Sequence, residues 1–333
     1  MRKTTTALAS LAAGVLLLTA CGASPNSRSA DDAAGSEGEN PSELVFAVVP
    51  TDNSEELEAS FEPIVAAIEK ETGIPTSIEA VSSNAGVIEA QVAERVDIAV
   101  YGAFSYYLAA DVAEVTPVAM DQRTPESGSG AVQSFGVVAA GSDITSIEDV
   151  AGSDVCFTDP ASTTGYLAPV AGLMSADIDP KNDINPIYAG SHDVAVTQML
   201  AGDCDVAFVA GTFITDLLPA RGVIEEGDTE TIWTSPDIPG TPLVLGNWLS
   251  EDLRDSITTA VTSNYDAVTA AEAGLCEGAE REAPESWGDE YAGDMACEWG
   301  GTGAFAFEPA DDADFDAIRE ICEKTNAEVC RSE

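Results

Sequence analysis

Asp159-Pro160-Ala161-Ser162-Thr163-Thr164-Gly165 lies between an apolar run at 155–157 and a helix-like segment at 166–174. It reads as a strand-to-helix turn rich in small hydroxyl side chains. Such a turn has two readings. Asp, Ser and Thr cap helix N-termini for their own sake, because their side-chain oxygens accept the leading N–H groups. The same turn also suits an anion, since those N–H groups lack partners inside the helix, the macrodipole adds partial positive charge, and three hydroxyls can donate. Whether the strand-turn-helix unit recurs decides the fold.

It recurs on both sides. Upstream, 44–49 is a buried-type strand ending at Pro50, and Leu57, Phe61, Ile64, Val65 and Ile68 repeat at helical spacing within 55–71, until Thr72-Gly73 stops the helix. Residues 74–81 alternate like a strand, 87–93 suit a helix, and 97–101 form a strand running into Gly102. The order β-α-β-α-β predicts a mostly parallel sheet flanked by helices, with ligands outside the carboxyl ends of its strands. Tyr101 and the residues near Thr51 lie at such ends.

Residues 115–120 read as another strand, 123–130 as a polar, glycine-rich excursion, and 135–140 as a strand. From Ile144 the pattern restarts: Ser146 caps 147–150, and strands at 155–157, 185–189 and 205–209 alternate with the opening turn and a helix at 193–200. Return strands follow at 230–235 and 243–246, then one long helix over 251–270. The expectation is an α/β protein of two lobes with the ligand cleft between them: lobe 1 at 43–135, lobe 2 at 136–235, and 236–333 returning to lobe 1 with a cysteine-rich end. Beyond Cys276, only 315–323 has a helical pattern. Pro169 sits inside the helical segment, where proline costs about 3 kcal/mol and removes a backbone bond. Either the helix kinks there or its first turn is separate.

The N-terminus carries Arg2 and Lys3, an apolar run at 7–18, and then Leu18-Thr19-Ala20-Cys21. This is the pattern of a signal peptide over 1–20, and Cys directly after Leu-Thr-Ala resembles a bacterial lipobox, which makes Cys21 the lipid-bearing anchor. Residues 21–42 hold almost nothing apolar and read as a flexible tether. The chain has a net charge of −46, and loss of Arg2 and Lys3 takes it to −48. Nucleic acid and anionic membrane surfaces are repelled, and attraction for an anionic ligand has to be local. Setting Cys21 aside leaves six cysteines in an exported chain, and hence three disulfides. Cys156 and Cys204 each open a short strand in the same lobe and are expected to pair. Cys276, Cys297, Cys322 and Cys330 pair among themselves in an order that spacing leaves open. Long spacings and a single histidine disfavour zinc, and neither a metal nor a cofactor is expected.

That histidine, His192, stands in Gly190-Ser191-His192-Asp193, after one strand and at the start of a helix. It reads either as a solvated cap or as a donor to an oxyanion, charged if protonated. With it, residues 96–102, the opening turn through Pro169, and Ser235-Pro236-Asp237-Ile238-Pro239-Gly240-Thr241-Pro242 resemble successive motifs of the phosphate, phosphite and phosphonate substrate-binding proteins of ABC importers. The resemblance covers roughly 44–265 and fades beyond Cys276. It implies a type 2 periplasmic-binding-protein fold in lipoprotein form, held outside the cell membrane and working as a monomer with the permease subunits of an importer. It also implies that Ser162, Thr163, Thr164 and His192 hold a phosphorus oxyanion, that Tyr101 adds its hydroxyl from the opposing lobe, and that Thr241 lines the cavity. The chain departs from the pattern at Asn84, where an aromatic is common, and at Thr212 and Thr241, near where acidic residues line members that bind aminoalkyl phosphonates. The expected ligand is therefore phosphite, phosphate or a simple alkylphosphonate.

Two other classes remain. One is an exported hydrolase with Ser162 as nucleophile, His192 as base and Asp193 as its partner, although no Gly-x-Ser-x-Gly elbow occurs and Asp193 adjoins His192 too closely to orient it. The other is an acidic surface interaction protein without a small ligand.

Overall fold

The structure, a computed structural model, describes residues 40–49, 59–126, 128, 130–276, 280–300 and 303–330. The signal segment, Cys21, nearly all of the tether, Thr51 and Leu57 lie outside the described residues. No helix among the described residues is long and apolar enough to cross a membrane.

Two large sheets form the lobes, and a third, of two antiparallel strands, β11 (Glu280–Glu282) and β12 (Met295–Cys297), lies in the late segment. The first contains β1 (Leu44–Val48), β2 (Thr76–Ala80), β3 (Ile98–Val100), β4 (Val115–Gln122), β10 (Pro242–Gly246) and β13 (Ala306–Pro309), in the order β13-β4-β10-β3-β1-β2. The second contains β5 (Ser134–Ala139), β6 (Asp154–Phe157), β7 (Asn185–Tyr188), β8 (Val206–Ala210) and β9 (Thr229–Thr234), in the order β7-β6-β8-β5-β9. The two-lobed α/β expectation holds, with one correction. The two large sheets are mixed rather than mostly parallel: β1 pairs in parallel with β2 and β3, and β6 with β7 and β8, while every pairing of β4, β5, β9, β10 and β13 is antiparallel. The cause is direction of arrival. Helical crossovers return the chain to run parallel, whereas β5 and β10, the first strand after each passage between lobes, enter from the opposite end and insert between β8 and β9 and between β3 and β4, so that every pairing they make is antiparallel. The passages lie side by side, because Val132 and Ile238 exchange backbone hydrogen bonds of 2.9 and 2.8 Å.

Both faces of each large sheet are covered. On one face of the first sheet, α1 (Glu62–Thr72) and α7 (Glu251–Thr259) pack with Trp287, Trp299, Phe305 and Phe307 from the late segment. On the other, α2 (Asn84–Val92) and α3 (Ala103–Val112) meet α9 (Asp316–Thr325), together with Leu167 and Ala168 from the second lobe. The second sheet carries one cluster on α5 (His192–Ala201) and another on α4 (Ala168–Ser175). The late segment is thus part of the first lobe, since β13 extends its sheet beside β4 and Trp299 is fully buried.

Helix 251–270 is not continuous. After α7 the backbone widens into a π turn at Ala260–Asn264, leaves the helix at Tyr265, and restarts as α8 (Ala267–Glu272) under an Asp266 cap. Pro169 is resolved similarly. A π turn at Thr163–Leu167 precedes α4 and puts Pro169 at the start of the regular helix, where its missing N–H matters least. The proline frees the Gly165 carbonyl, four residues back, which accepts the Thr158 N–H at 3.2 Å and ties the turn to the end of β6. The disulfides are Cys156–Cys204, as expected, Cys276–Cys297 and Cys322–Cys330.

Candidate functional site

A cavity of about 140 Å3 lies where the carboxyl ends of β3 and β6 face each other. Tyr101, Ser162, Thr163, Thr164, His192 and Thr241 all line it. The volume suits a small polyatomic ligand rather than a polymer.

The hydroxyl turn is set by its backbone. Ser162 caps the turn: its Oγ accepts the Gly165 N–H at 3.0 Å. Thr163 Oγ1 accepts the Phe104 N–H at 2.9 Å, from the first turn of α3 in the other lobe. In both cases the oxygen is an acceptor, so its own proton stays available for an anion. Capping and anion binding, alternatives in the sequence, therefore coexist: the cap polarises the hydroxyl that faces the cavity. The cross-lobe bond requires close approach, because a Cβ on Gly102 would stand 2.7 Å from Thr163 Oγ1. Thr164 is fixed through its carbonyl, which accepts the Ser134 hydroxyl at 2.6 Å.

Two further bonds join the lobes at this rim. Asn84 Nδ2 donates to Asp159 Oδ1 at 3.2 Å. The single Ser105 hydroxyl proton lies between Asn84 Oδ1, at 2.8 Å, and the Ala161 carbonyl, at 2.9 Å. Asn84 thus spans the cleft through its amide.

His192 is buried at the start of α5, with its ring 4.7 Å from that of Phe213. Its Nδ1 accepts the Ala210 N–H at 3.1 Å. That contact needs a lone pair on Nδ1, so the ring is the neutral tautomer with its proton on Nε2. The charged imidazolium considered from the sequence is replaced by a neutral donor. The geometry also removes its use as a base, since neither nitrogen has both an open lone pair and a free direction. Asp193 is occupied as acceptor of the Ser191 hydroxyl.

Tyr101 is buried, and desolvation pushes its hydroxyl well above the ordinary phenol range, so it stays protonated. The hydroxyl donates to Gln91 Oε1 at 2.8 Å, while Gln91 Nε2 is buried without a partner among the described residues. Turning the Gln91 amide over would let Nε2 donate to Tyr101 and release the tyrosine proton toward the cavity.

Several lining residues escaped the sequence reading. Thr158 is one: it lines the cavity with a buried Oγ1 that has no partner among the described residues, as does Thr212, which the sequence already sets near the lining. Arg123 and Asp121 come from the end of β4 and the excursion after it. Arg123 gives the wall a formal positive charge in a chain of −46. Trp299 and Phe307 belong to the late segment. Composition at 123–130 offered no signal beyond one arginine among glycines and hydroxyl residues. Asp121 and Asp159 also put carboxylates on the cavity wall, where the sequence reading notes only the uncharged Thr212 and Thr241 in place of acidic residues. No group of three or more His, Cys, Asp or Glu among the described residues is placed to hold a metal ion.

Comparison with known proteins places the chain in a family. A family model described as "ABC transporter, phosphonate, periplasmic substrate-binding protein" matches residues 46–281. The chain is 32% identical over 300 residues to the phosphate-import protein PhnD of Mycolicibacterium smegmatis, covering 87% of this chain and 88% of that one. Among solved structures, the fold is similar to a binding protein component of an ABC phosphonate transporter from Pseudomonas aeruginosa, with a TM-score of 0.66 and 22% identity over 85% of this chain and 86% of that one. PhnD1 from Prochlorococcus marinus in complex with methylphosphonate gives a TM-score of 0.65 and 17% identity, covering 86% and 99%.

Proposed function

Because this chain belongs to the phosphonate periplasmic substrate-binding protein family of ABC transporters, we propose that it captures a small phosphorus oxyanion outside the cytoplasm and delivers it to the permease of an importer. The observation that carries this reading is the double use of Ser162 and Thr163. Each hydroxyl oxygen is occupied by a backbone N–H and each proton is left to donate. His192, through Nε2–H, and the Thr158 and Thr212 hydroxyls add neutral donors, and Arg123 adds charge. Neutral donors in a desolvated cleft bind an oxyanion despite the global field, because each is worth more at low dielectric than in water.

The ligand class follows from the wall. Phosphate, phosphite and a simple alkylphosphonate fit a cavity rich in donors. An aminoalkyl phosphonate fits less well: Thr212 and Thr241 carry no charge, Asp159 Oδ1 is taken by Asn84 and the Ala161 N–H, and Asp121 stands near Arg123, which repels an ammonium. The chain acts by binding, not by turnover, because neither Ser162 nor His192 is arranged for nucleophilic attack. Cys21 carries the lipid that holds the protein at the membrane, and the protein works as a monomer.

A thermal-shift panel tests the reading with phosphate, phosphite, hypophosphite, methylphosphonate, an aminoalkyl phosphonate and sulfate. A bound anion at a hundred times its Kd should stabilise the fold by about 2.7 kcal/mol, and Thr163→Val should remove most of that shift. Stabilisation by none of the phosphorus compounds would overturn it.

A further inference from the structure

The first lobe buries two aspartates whose treatment differs. Asp97 is buried with both oxygens engaged: Oδ2 accepts the Val45 N–H at 2.9 Å and Oδ1 the Trp248 Nε1–H at 3.0 Å. Asp121 is as deeply buried, at 3% exposure, yet only Oδ1 is engaged, by the Thr241 N–H. Asp121 Oδ2 has no partner among the described residues, and the residue lies on the cavity wall. A buried carboxylate with an idle oxygen is destabilising unless something completes it.

The surroundings hold this carboxylate in place. Asp121 and Thr241 exchange backbone and side-chain bonds across the passage between lobes. A Cβ on Gly240 would come within 2.3 Å of Asp121 Oδ1, and one on Gly130 within 1.9 Å of its carbonyl oxygen. Two glycines in the passages therefore make room for it. The charged groups around it are Arg123, at the end of its own strand, and Glu308 on β13, which accepts the Gly128 N–H. Asp159, His192 and Tyr101 stand elsewhere on the cavity wall.

An ionised carboxylate cannot face an oxyanion unless a proton lies between them. We propose that Asp121 is a specificity-determining contact whose idle oxygen shares one proton with the bound anion, so that the site selects hydrogen phosphate, which keeps a P–O–H hydrogen, over the dianions of phosphite and alkylphosphonates and over sulfate, which keep none. The inference rests on the oxyanion reading above and deepens it.

The proton balance is explicit. Hydrogen phosphate brings its own proton, and Asp121 accepts it as a hydrogen bond. An anion without one binds only when Asp121 takes a proton from solvent, so binding consumes one proton. Burial, opposed by Arg123, pushes the Asp121 carboxyl up to about 6. Above that pH the affinity for a proton-free dianion falls about tenfold per pH unit, while that for hydrogen phosphate does not. At pH 8 the preference over sulfate reaches up to about 100-fold; over phosphite and alkylphosphonates it is smaller, because their monoanions regain a P–O–H by taking up the same one proton.

Titration calorimetry at pH 8, in two phosphate-free buffers of different ionisation enthalpy, reads this on the wild-type protein. Phosphite should bind with uptake of about one proton, and phosphate with almost none. Asp121→Asn, whose amide N–H donates without taking a proton from solvent, should lose both the uptake and the preference. Equal uptake for the two anions, or a preference unchanged in Asp121→Asn, would overturn the role of Asp121 while leaving oxyanion binding in place. If neither anion binds the wild-type protein, the oxyanion reading fails and the selection fails with it.

Discussion

At the scale of single residues, the proposed site gives two hydroxyls, those of Ser162 and Thr163, one task as acceptor and one as donor. Ser162 and Thr163 accept N–H groups that the helix start and the opposing lobe supply, which frees their protons. Tyr101 reaches the same condition only when Gln91 presents its Nε2. Gln91 is therefore a positioning residue, and the consequence is testable. Gln91→Glu offers oxygens alone, holds the tyrosine proton, and leaves Tyr101 facing the anion with lone pairs. Affinity for phosphate should fall about tenfold, the worth of one hydrogen bond with a repulsive contact in its place. Gln91→Met, which leaves the tyrosine proton free, should fall less. Calorimetry on the two variants reads the difference, and equal losses would reduce Gln91 to packing. The hydroxyl turn was legible in the sequence because its chemistry is local, seven residues with one backbone geometry. Asp121, Arg123 and Thr158 were not, because each becomes a wall residue only when the two passages between lobes are laid together.

At the scale of elements, strand-helix alternation was legible, since helical and extended periodicities differ over short windows. Strand direction was not. β5 and β10 have ordinary apolar patterns, and nothing in them records that they enter their sheets from the opposite end. β13 was hidden in a segment whose glycines and aromatics gave no period, and its place beside β4 depends on a contact nearly two hundred residues distant. The elements also hold the lobes together. The starts of α2 and α3 reach the hydroxyl turn through Asn84, Ser105 and the Phe104 N–H. These bonds join the two lobes, so a hinge opening of the cleft would break them whatever ligand it holds. Ser105→Ala should weaken phosphate binding about fivefold, in line with the loss of one shared hydrogen bond near 1 kcal/mol. Ser105 is absent from the turn that donates to the anion, so the loss should be the same factor for phosphate, phosphite and methylphosphonate. A loss that differed between ligands would place Ser105 in direct contact instead.

At the scale of the whole molecule, the charge of −46 sets the terms on which an anion arrives. Ion pairs do little to offset it: Arg319 with Asp312 and Asp316, and Lys324 with Glu320, are exposed pairs on or beside α9. The field that an approaching phosphate meets is repulsive at long range and attractive only within the cavity, where Arg123 and the hydroxyl protons lie. Salt screens the first and barely touches the second, because the Debye length is about 10 Å at 0.1 M while contacts in a closed cleft are shielded from ions. Association should therefore speed up with ionic strength, the reverse of the electrostatic steering seen where ligand and protein have opposite charge. Dissociation, governed by bonds inside the closed cleft, should change little. Stopped-flow tryptophan fluorescence can follow this, since Trp299 lies on the cavity wall. Between about 10 mM and about 300 mM sodium chloride, the on-rate for phosphate should rise severalfold and the affinity with it. An on-rate that falls with salt would mean that a local positive field reaches beyond the cleft mouth, and the attraction assigned here to neutral donors would have to be reassigned to Arg123.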